Sequence, residues 1–120
     1  MTDPGRAFFA EDDLGREVYD LVAARIHECG GAELRVARTQ VGWARRRGFA
    51  FLWSPQRWLG DRAAPLVLTV GLRSKDPSDR WKEVVEIRPG LYNHHLEVHC
   101  VEDVDDEVLA WVGRAYDEAG

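Results

Sequence analysis

The sequence predicts an α+β domain. A mostly antiparallel sheet of about five strands, run as a meander, carries an N-terminal and a C-terminal helix on one face. Three observations lead there. Apolar residues recur at helical spacing near both ends of the chain. Between them, short apolar or alternating runs are separated by Gly, Pro and Asp. Within that middle region, Val36–Trp53 reads as a β-hairpin.

Residues 1–10 read as a short arm whose Phe8 and Phe9 plug onto the body. Asp12 or Asp13 caps a helix over about 13–29. Leu14, Val18, Leu21, Val22, Ile26 and Cys29 form its apolar stripe, Arg25 interrupts it, and Gly30–Gly31 ends the helix. Leu34–Thr39 leads as a strand into the hairpin. Ser54–Ala64 is a loop, with Trp58 as a lid. Pro65–Leu72 is an apolar run with β-branched content, which predicts a central strand buried on both sides. Arg73–Arg80 is a turn-rich loop, and Trp81–Ile87 alternates as a strand. Pro89–Gly90 suits the centre of a type II turn. Tyr92–Val101 is the last strand, with Leu96, Val98 and Cys100 facing in and His95, Glu97 and His99 facing out. Asp103 or Asp105 then caps a helix to about Glu118, with Val108, Trp111, Val112 and Ala115 as its stripe.

The hairpin register depends on its turn. Val41, Trp43, Phe49, Phe51 and Trp53 alternate on each side of Arg45–Gly48. A three-residue loop, Arg46–Arg47–Gly48, pairs Arg45 with Phe49 and puts all five apolar side chains on one face. Gly48 then takes the left-handed position. Gln40, Gly42, Ala44, Ala50 and Leu52 line the other face. In this register Trp43, Phe51 and Trp53 join Leu68 and Trp111 in the core.

Composition bounds the function. The 120 residues are 45% apolar and 31% charged, which describes a single soluble domain over 1–120. No apolar run approaches a membrane span, and Met1–Arg6 is too short and polar for a signal peptide. Two cysteines far apart make no disulfide framework, so the expected location is a bacterial-type cytoplasm with reduced thiols. Fourteen arginines against two lysines point to a GC-rich genome. The net charge of −5 disfavours strong non-specific nucleic-acid binding. Residues 34–60 nevertheless hold six arginines and no acid.

Two constellations stand out as ligand sites. Arg45, Arg46 and Arg47 at the hairpin tip suit phosphate or carboxylate, because guanidinium forks match both; the bland reading is a solvated turn. His95, Glu97 and His99 alternate on one strand face, where imidazoles suit zinc. No residue offers a fourth ligand there, and the bland reading is a polar outer sheet face. No metal site is therefore expected. His94 reads as a partly buried polar residue near the turn. Cys29 and Cys100 read as small core residues without a base beside them. No nucleophile elbow, phosphate-cradling glycine loop or dinucleotide fingerprint occurs, so no cofactor is expected.

Four runs carry a resemblance: RTQVGWARRRGFAFLW, PLVLTVGL, RWKEVVEIRPGLYNHHLEVH and DEVLAWVGRAYDEA. From about Phe8 onward the chain resembles the bacterial domain of unknown function family 5655. Its marks are Thr39–Gln40 before the hairpin, Gly48–Ala50 after the basic tip, and a histidine-bearing segment before a final helix ending in Ala-Tyr. The resemblance implies a small domain or an appendage to other domains, with no activity or catalytic residue to transfer. Function is therefore read as non-enzymatic: a binding or accessory module for an anionic or protein partner, using Arg45, Arg46, Arg47, Gln40, His95, Glu97 and His99. Nucleic-acid binding by the same arginines, with Trp53 or Trp58 stacking on bases, is the alternative. An enzyme on the His95, Glu97 and His99 face ranks last.

Overall fold

Caps and apolar spacing set the helices. The computed structural model describes residues 3–120. Asp3 caps a short helix, α1 (Pro4–Phe8), through bonds from the Gly5 and Arg6 amides. Helix α2 (Asp13–Cys29) starts on Asp12, whose Oδ1 accepts from the Gly15 amide at 2.9 Å. It ends at Gly30, where φ is +130°, a conformation that favours glycine. Phe9 is buried and meets Phe8 edge-on at 4.8 Å, so the described part of the arm is helical and docked. Asp105, not Asp103, caps α4 (Asp106–Glu118) through the Val108 amide.

Among the described residues the sheet has six strands, all antiparallel: β1 (Glu33–Val36), β2 (Val41–Ala44), β3 (Gly48–Trp53), β4 (Leu66–Leu72), β5 (Glu83–Arg88) and β6 (Leu91–Val98), in the order β1-β2-β3-β4-β6-β5. The expected meander breaks at one step, because β6 lies between β4 and β5. The reason is visible in the side chains. Strand β6 alternates buried residues along its length, whereas β5 is mostly exposed and suits an edge. Strand β4 is buried at every position. A third helix, α3 (Pro55–Leu59), interrupts the loop expected after β3. Its Trp58 is exposed rather than folded back as a lid.

Helices α2 and α4 pack together on one sheet face. Arg25, the break in the α2 stripe, donates from Nε to the Leu109 carbonyl at 3.1 Å. Its guanidinium lies where a side chain at Gly113 would be. Across the same face Tyr19 stacks on Trp43 at 5.5 Å, and Phe49 meets Tyr116 edge-on at 5.6 Å. Among the described residues, no helix is long and apolar enough to cross a membrane.

The first hairpin departs from the expected register. Trp43 pairs with Ala50, Gly42 with Phe51 and Val41 with Leu52, one residue from the expected pairing. A bulge follows, and Ala44 pairs with Gly48, leaving Phe49 as the extra residue. The loop is three residues long, Arg45–Arg47, and Gly48 has no positive φ. The five apolar residues therefore divide. Val41, Trp43 and Phe49 enter the helix-side core, while Phe51 and Trp53 lie half-buried on the opposite face. The bulge lets Phe49 share the helix face with Ala50. An alternation rule has no place for such an extra residue.

The last strand also ends earlier than expected. Strand β6 stops at Val98 because Asp103 Oδ2 accepts from the His99 amide at 2.8 Å and the Cys100 amide at 3.3 Å. The chain bends there into a 3-10 turn, Val101–Asp103, so Cys100 is exposed rather than in the core.

Candidate functional site

The hairpin tip lies against the C-terminal end of α4. Arg45 Nη1 donates to the Tyr116 carbonyl at 2.9 Å, and its guanidinium sits 4.1 Å above the Tyr116 ring. Arg47 Nη1 donates to the Glu118 carbonyl at 3.0 Å, and the Arg46 amide donates to the Ala119 carbonyl at 3.0 Å. These bonds satisfy carbonyls that the helix end leaves open, and the cations face the negative end of its dipole. The Arg46 side chain is exposed.

Arg47 has donors to spare. Its Nε and Nη2 are enclosed and meet no acceptor among the described residues. Burial lowers its pKa from the ordinary arginine value, and the charges of Arg73 and Arg88 push the same way, against Glu118. Arg73 reaches this end from β4, donating from Nη2 to the Glu118 carbonyl at 2.9 Å and from its amide to Glu118 Oε1 at 2.7 Å. Arg88 arrives at the end of β5, before the Pro89–Gly90 turn, where Gly90 has a φ of +82°. Three chain segments, the hairpin tip and the ends of β4 and β5, thus bring basic groups to one end of the sheet. Arg73 and Arg88 were not among the residues singled out from sequence. They stand alone in the chain, and only the strand order brings them to Arg47.

The face away from the helices carries the second group. Arg35, Gly42, Phe51, Thr69, His95 and Glu83 lie in one cross-strand row. Thr69 Oγ1 and His95 Nδ1 are 2.7 Å apart. Burial lowers the His95 pKa; the charge of Glu83 opposes this and that of His94 assists it. Glu97 follows on the same face, half-buried. His99 lies past the strand end, exposed, with Nε2 3.7 Å from Glu97 Oε1. Glu97 and His99 thus stay together, while His95 is engaged with Thr69. Among the described residues, no group of three or more His, Cys, Asp or Glu side chains is placed to hold a metal ion.

His94 is fully buried on the helix side rather than partly buried. Its Nε2 accepts from the Asp76 amide at 2.9 Å, which leaves Nδ1 to donate to the Tyr92 carbonyl at 2.9 Å. Trp81 packs edge-on against it at 5.0 Å and donates from Nε1 to Asp76 Oδ2 at 3.0 Å. Burial pushes the Asp76 carboxyl up, but bonds from Trp81, Ser78 and Trp111 and the charge of Arg114 bring it below its ordinary value. This polar cluster anchors the Arg73–Lys82 loop.

The two ends of the first hairpin separate residues that were grouped together. Gln40 closes the β1–β2 turn, its carbonyl accepting from the Ala37 amide at 2.9 Å. It precedes Val41, at the end of β2 away from the arginine tip. Trp53 and Trp58 belong to that end too. Arg38 and Arg57 place their guanidiniums 5.9 and 5.6 Å from the Trp58 ring centre.

The domain of unknown function DUF5655 matches residues 8–119. The chain belongs to this family. No curated protein and no solved structure matches the chain. In this DUF5655 chain the matched residues span everything from Phe8 at the end of α1 to Ala119 after α4, including the basic sheet end and the His95 face.

Proposed function

We propose that the chain is a non-enzymatic binding module that holds an anionic group at the basic end of its sheet. The observation that carries this is Arg47, whose Nε and Nη2 have no acceptor among the described residues while the charges of Arg73 and Arg88 crowd it. Donors left so are costly unless an acceptor meets them. A phosphate or carboxylate supplies both acceptor and countercharge. Arg46 stands exposed beside this group and adds to its field. The expected partner is a phosphorylated or carboxylate-bearing ligand, or an acidic segment of another protein. One core cluster joins both helices to the sheet, which supports a single domain. The free cysteines accord with a reducing, cytoplasmic setting.

The test is thermal unfolding in phosphate and in citrate against chloride at matched ionic strength. A ligand that binds only the folded state raises the midpoint. The wild type should show the rise, and Arg47→Ala combined with Arg88→Ala should not. An equal rise in both proteins would remove the basic end as a site.

A second reading, single-stranded nucleic acid, is favoured by one observation. Exposed Trp58 between Arg38 and Arg57 has the composition of a base-stacking platform. Binding to an oligonucleotide that falls steeply with salt and is lost in Trp58→Ala would support it. Retained binding in that variant would dismiss it.

A further inference from the structure

The sheet face away from α2 and α4 has an apolar centre and charged edges. Phe51 and Trp53 lie half-buried there, outside the core cluster that joins the helices to the sheet. We propose that this face is a homodimer interface, covered by the same face of a second copy of the chain. The proposal does not rest on the anion reading, since no arginine of the basic end lies in the row that pairs the copies.

The edge charges fit the face to its own copy. One cross-strand row runs Arg35, Gly42, Phe51, Thr69, His95, Glu83, from one sheet edge to the other. A cation thus stands on edge strand β1 and an anion on edge strand β5, both exposed. A two-fold axis parallel to the strands, set between β3 and β4, reverses the strand order in the facing sheet. It lays Arg35 over Glu83 of the other copy, and Glu83 over that copy's Arg35. One row therefore supplies two ion pairs, the self-matching that a two-fold interface requires. Arg35 pairs with Glu33 in its own chain, but both side chains stay more than half exposed and are free to turn to a new partner.

Shape agrees with charge. The Phe51 ring lies low over Gly42 and Gly48, where a Cβ would come within 2.9 and 2.7 Å of it. Val67 and Thr69 are nearly buried between their neighbours. The centre is therefore flat, which suits two sheets packed face to face about 10 Å apart. Arginine and glutamate side chains are long enough to span that gap at the edges. The same axis sets Phe51 against Thr69 and Trp53 against Val67 of the other copy, since these residues are register partners across β3 and β4. An apolar centre inside a polar rim is the usual anatomy of an interface. Six strands about 4.8 Å apart and about 20 Å long present roughly 500 Å² per copy, so the pair covers about 1,000 Å², the lower bound of a specific association. That area fits a dimer that forms and dissociates with concentration.

Sedimentation velocity of the full chain at low salt, from micromolar to millimolar concentration, tests this. The wild type should pass from monomer to dimer. Arg35→Glu and Glu83→Arg should each weaken self-association by about tenfold or more, because each turns two attractive pairs into two repulsive ones. Mixed together, the two variants should associate as tightly as the wild type, since every reversed charge then meets its opposite. Both positions are exposed on edge strands, so each variant should unfold at the wild-type temperature. Phe51→Gln, at the centre of the face, should weaken association as well. A monomer at every concentration, a dimer that the reversals or Phe51→Gln leave intact, or a mixture no stronger than its separate components would each overturn the proposal.

Discussion

Phe49 and Phe51 sit two residues apart in one strand and have opposite surroundings. Phe49 is fully buried against Tyr116, while Phe51 lies half-buried over Gly42 and Gly48 on the other face. Phe49→Ala should cost about 3–5 kcal/mol in denaturant unfolding, as buried aromatic truncations do. Phe51→Ala should cost under about 2 kcal/mol, because much of its area stays in contact with water. The reverse order would mean that the bulge is misassigned. His95 makes a pH-dependent contribution. Its pKa is lowered in the folded state, mainly by burial, so folding favours the neutral ring. The stability this brings is present above the unfolded value of about 6.5 and is lost as pH falls through that value toward the folded pKa. His95→Gln should flatten the stability profile over this slightly acidic range. An unchanged slope in the variant would show that His95 protonation is not linked to folding.

The hairpin tip and the end of α4 act as one unit at the scale of elements. The Arg45 and Arg46 side chains are both exposed, but Arg45 bonds the Tyr116 carbonyl and covers its ring. Arg45→Ala should therefore cost about 1–2 kcal/mol and speed amide exchange in the last turn of α4. Arg46→Ala should stay within about half a kcal/mol. Equal effects from the two would mean that the tip acts through net charge alone. The β5–β6 pair shows a related economy of position. The polar strand takes the sheet edge, and the alternating apolar one takes the interior, although the chain makes them in the opposite order.

Across the whole molecule, the sheet divides the aromatic residues between environments. Trp43 and Trp111 are buried on the helix side, Trp53 is half-buried on the open face, and Trp58 is exposed beyond the strand end. Acrylamide should quench the Trp58 contribution most. Trp58→Phe should therefore remove the most accessible part of the emission and leave a protected remainder. Quenching unchanged in that variant would place another tryptophan at the surface. The two ends of the first hairpin separate the charged groups. Basic groups gather at the tip end with the C-terminus of α4, and Glu11 and Asp61 line a hollow beside α3 at the other end. A chain of net charge −5 thus presents local fields of both signs.

Local sequence was enough for the elements whose information is local. The stripe from Leu14 to Cys29 with Asp12 before it and Gly30 after it determined α2, because caps and periodicity act within a few residues. Pro89–Gly90 determined its turn, and the unbroken apolar run from Leu66 to Leu72 determined a central strand. The α+β class followed from these. Tertiary structure decided what depends on partners distant in the chain. The hairpin register turned on one extra residue at Phe49, and a shift of one residue exchanges the faces of every side chain in an arm. The end of β6 turned on the Asp103 carboxylate reaching back to two amides. The arginine triplet was legible, but its attachment to α4 was not, since backbone carbonyls leave no mark in composition. Arg73 and Arg88 reach Arg47 only through the order of strands. Contacts of that range are fixed by burial and strand order rather than by any local pattern.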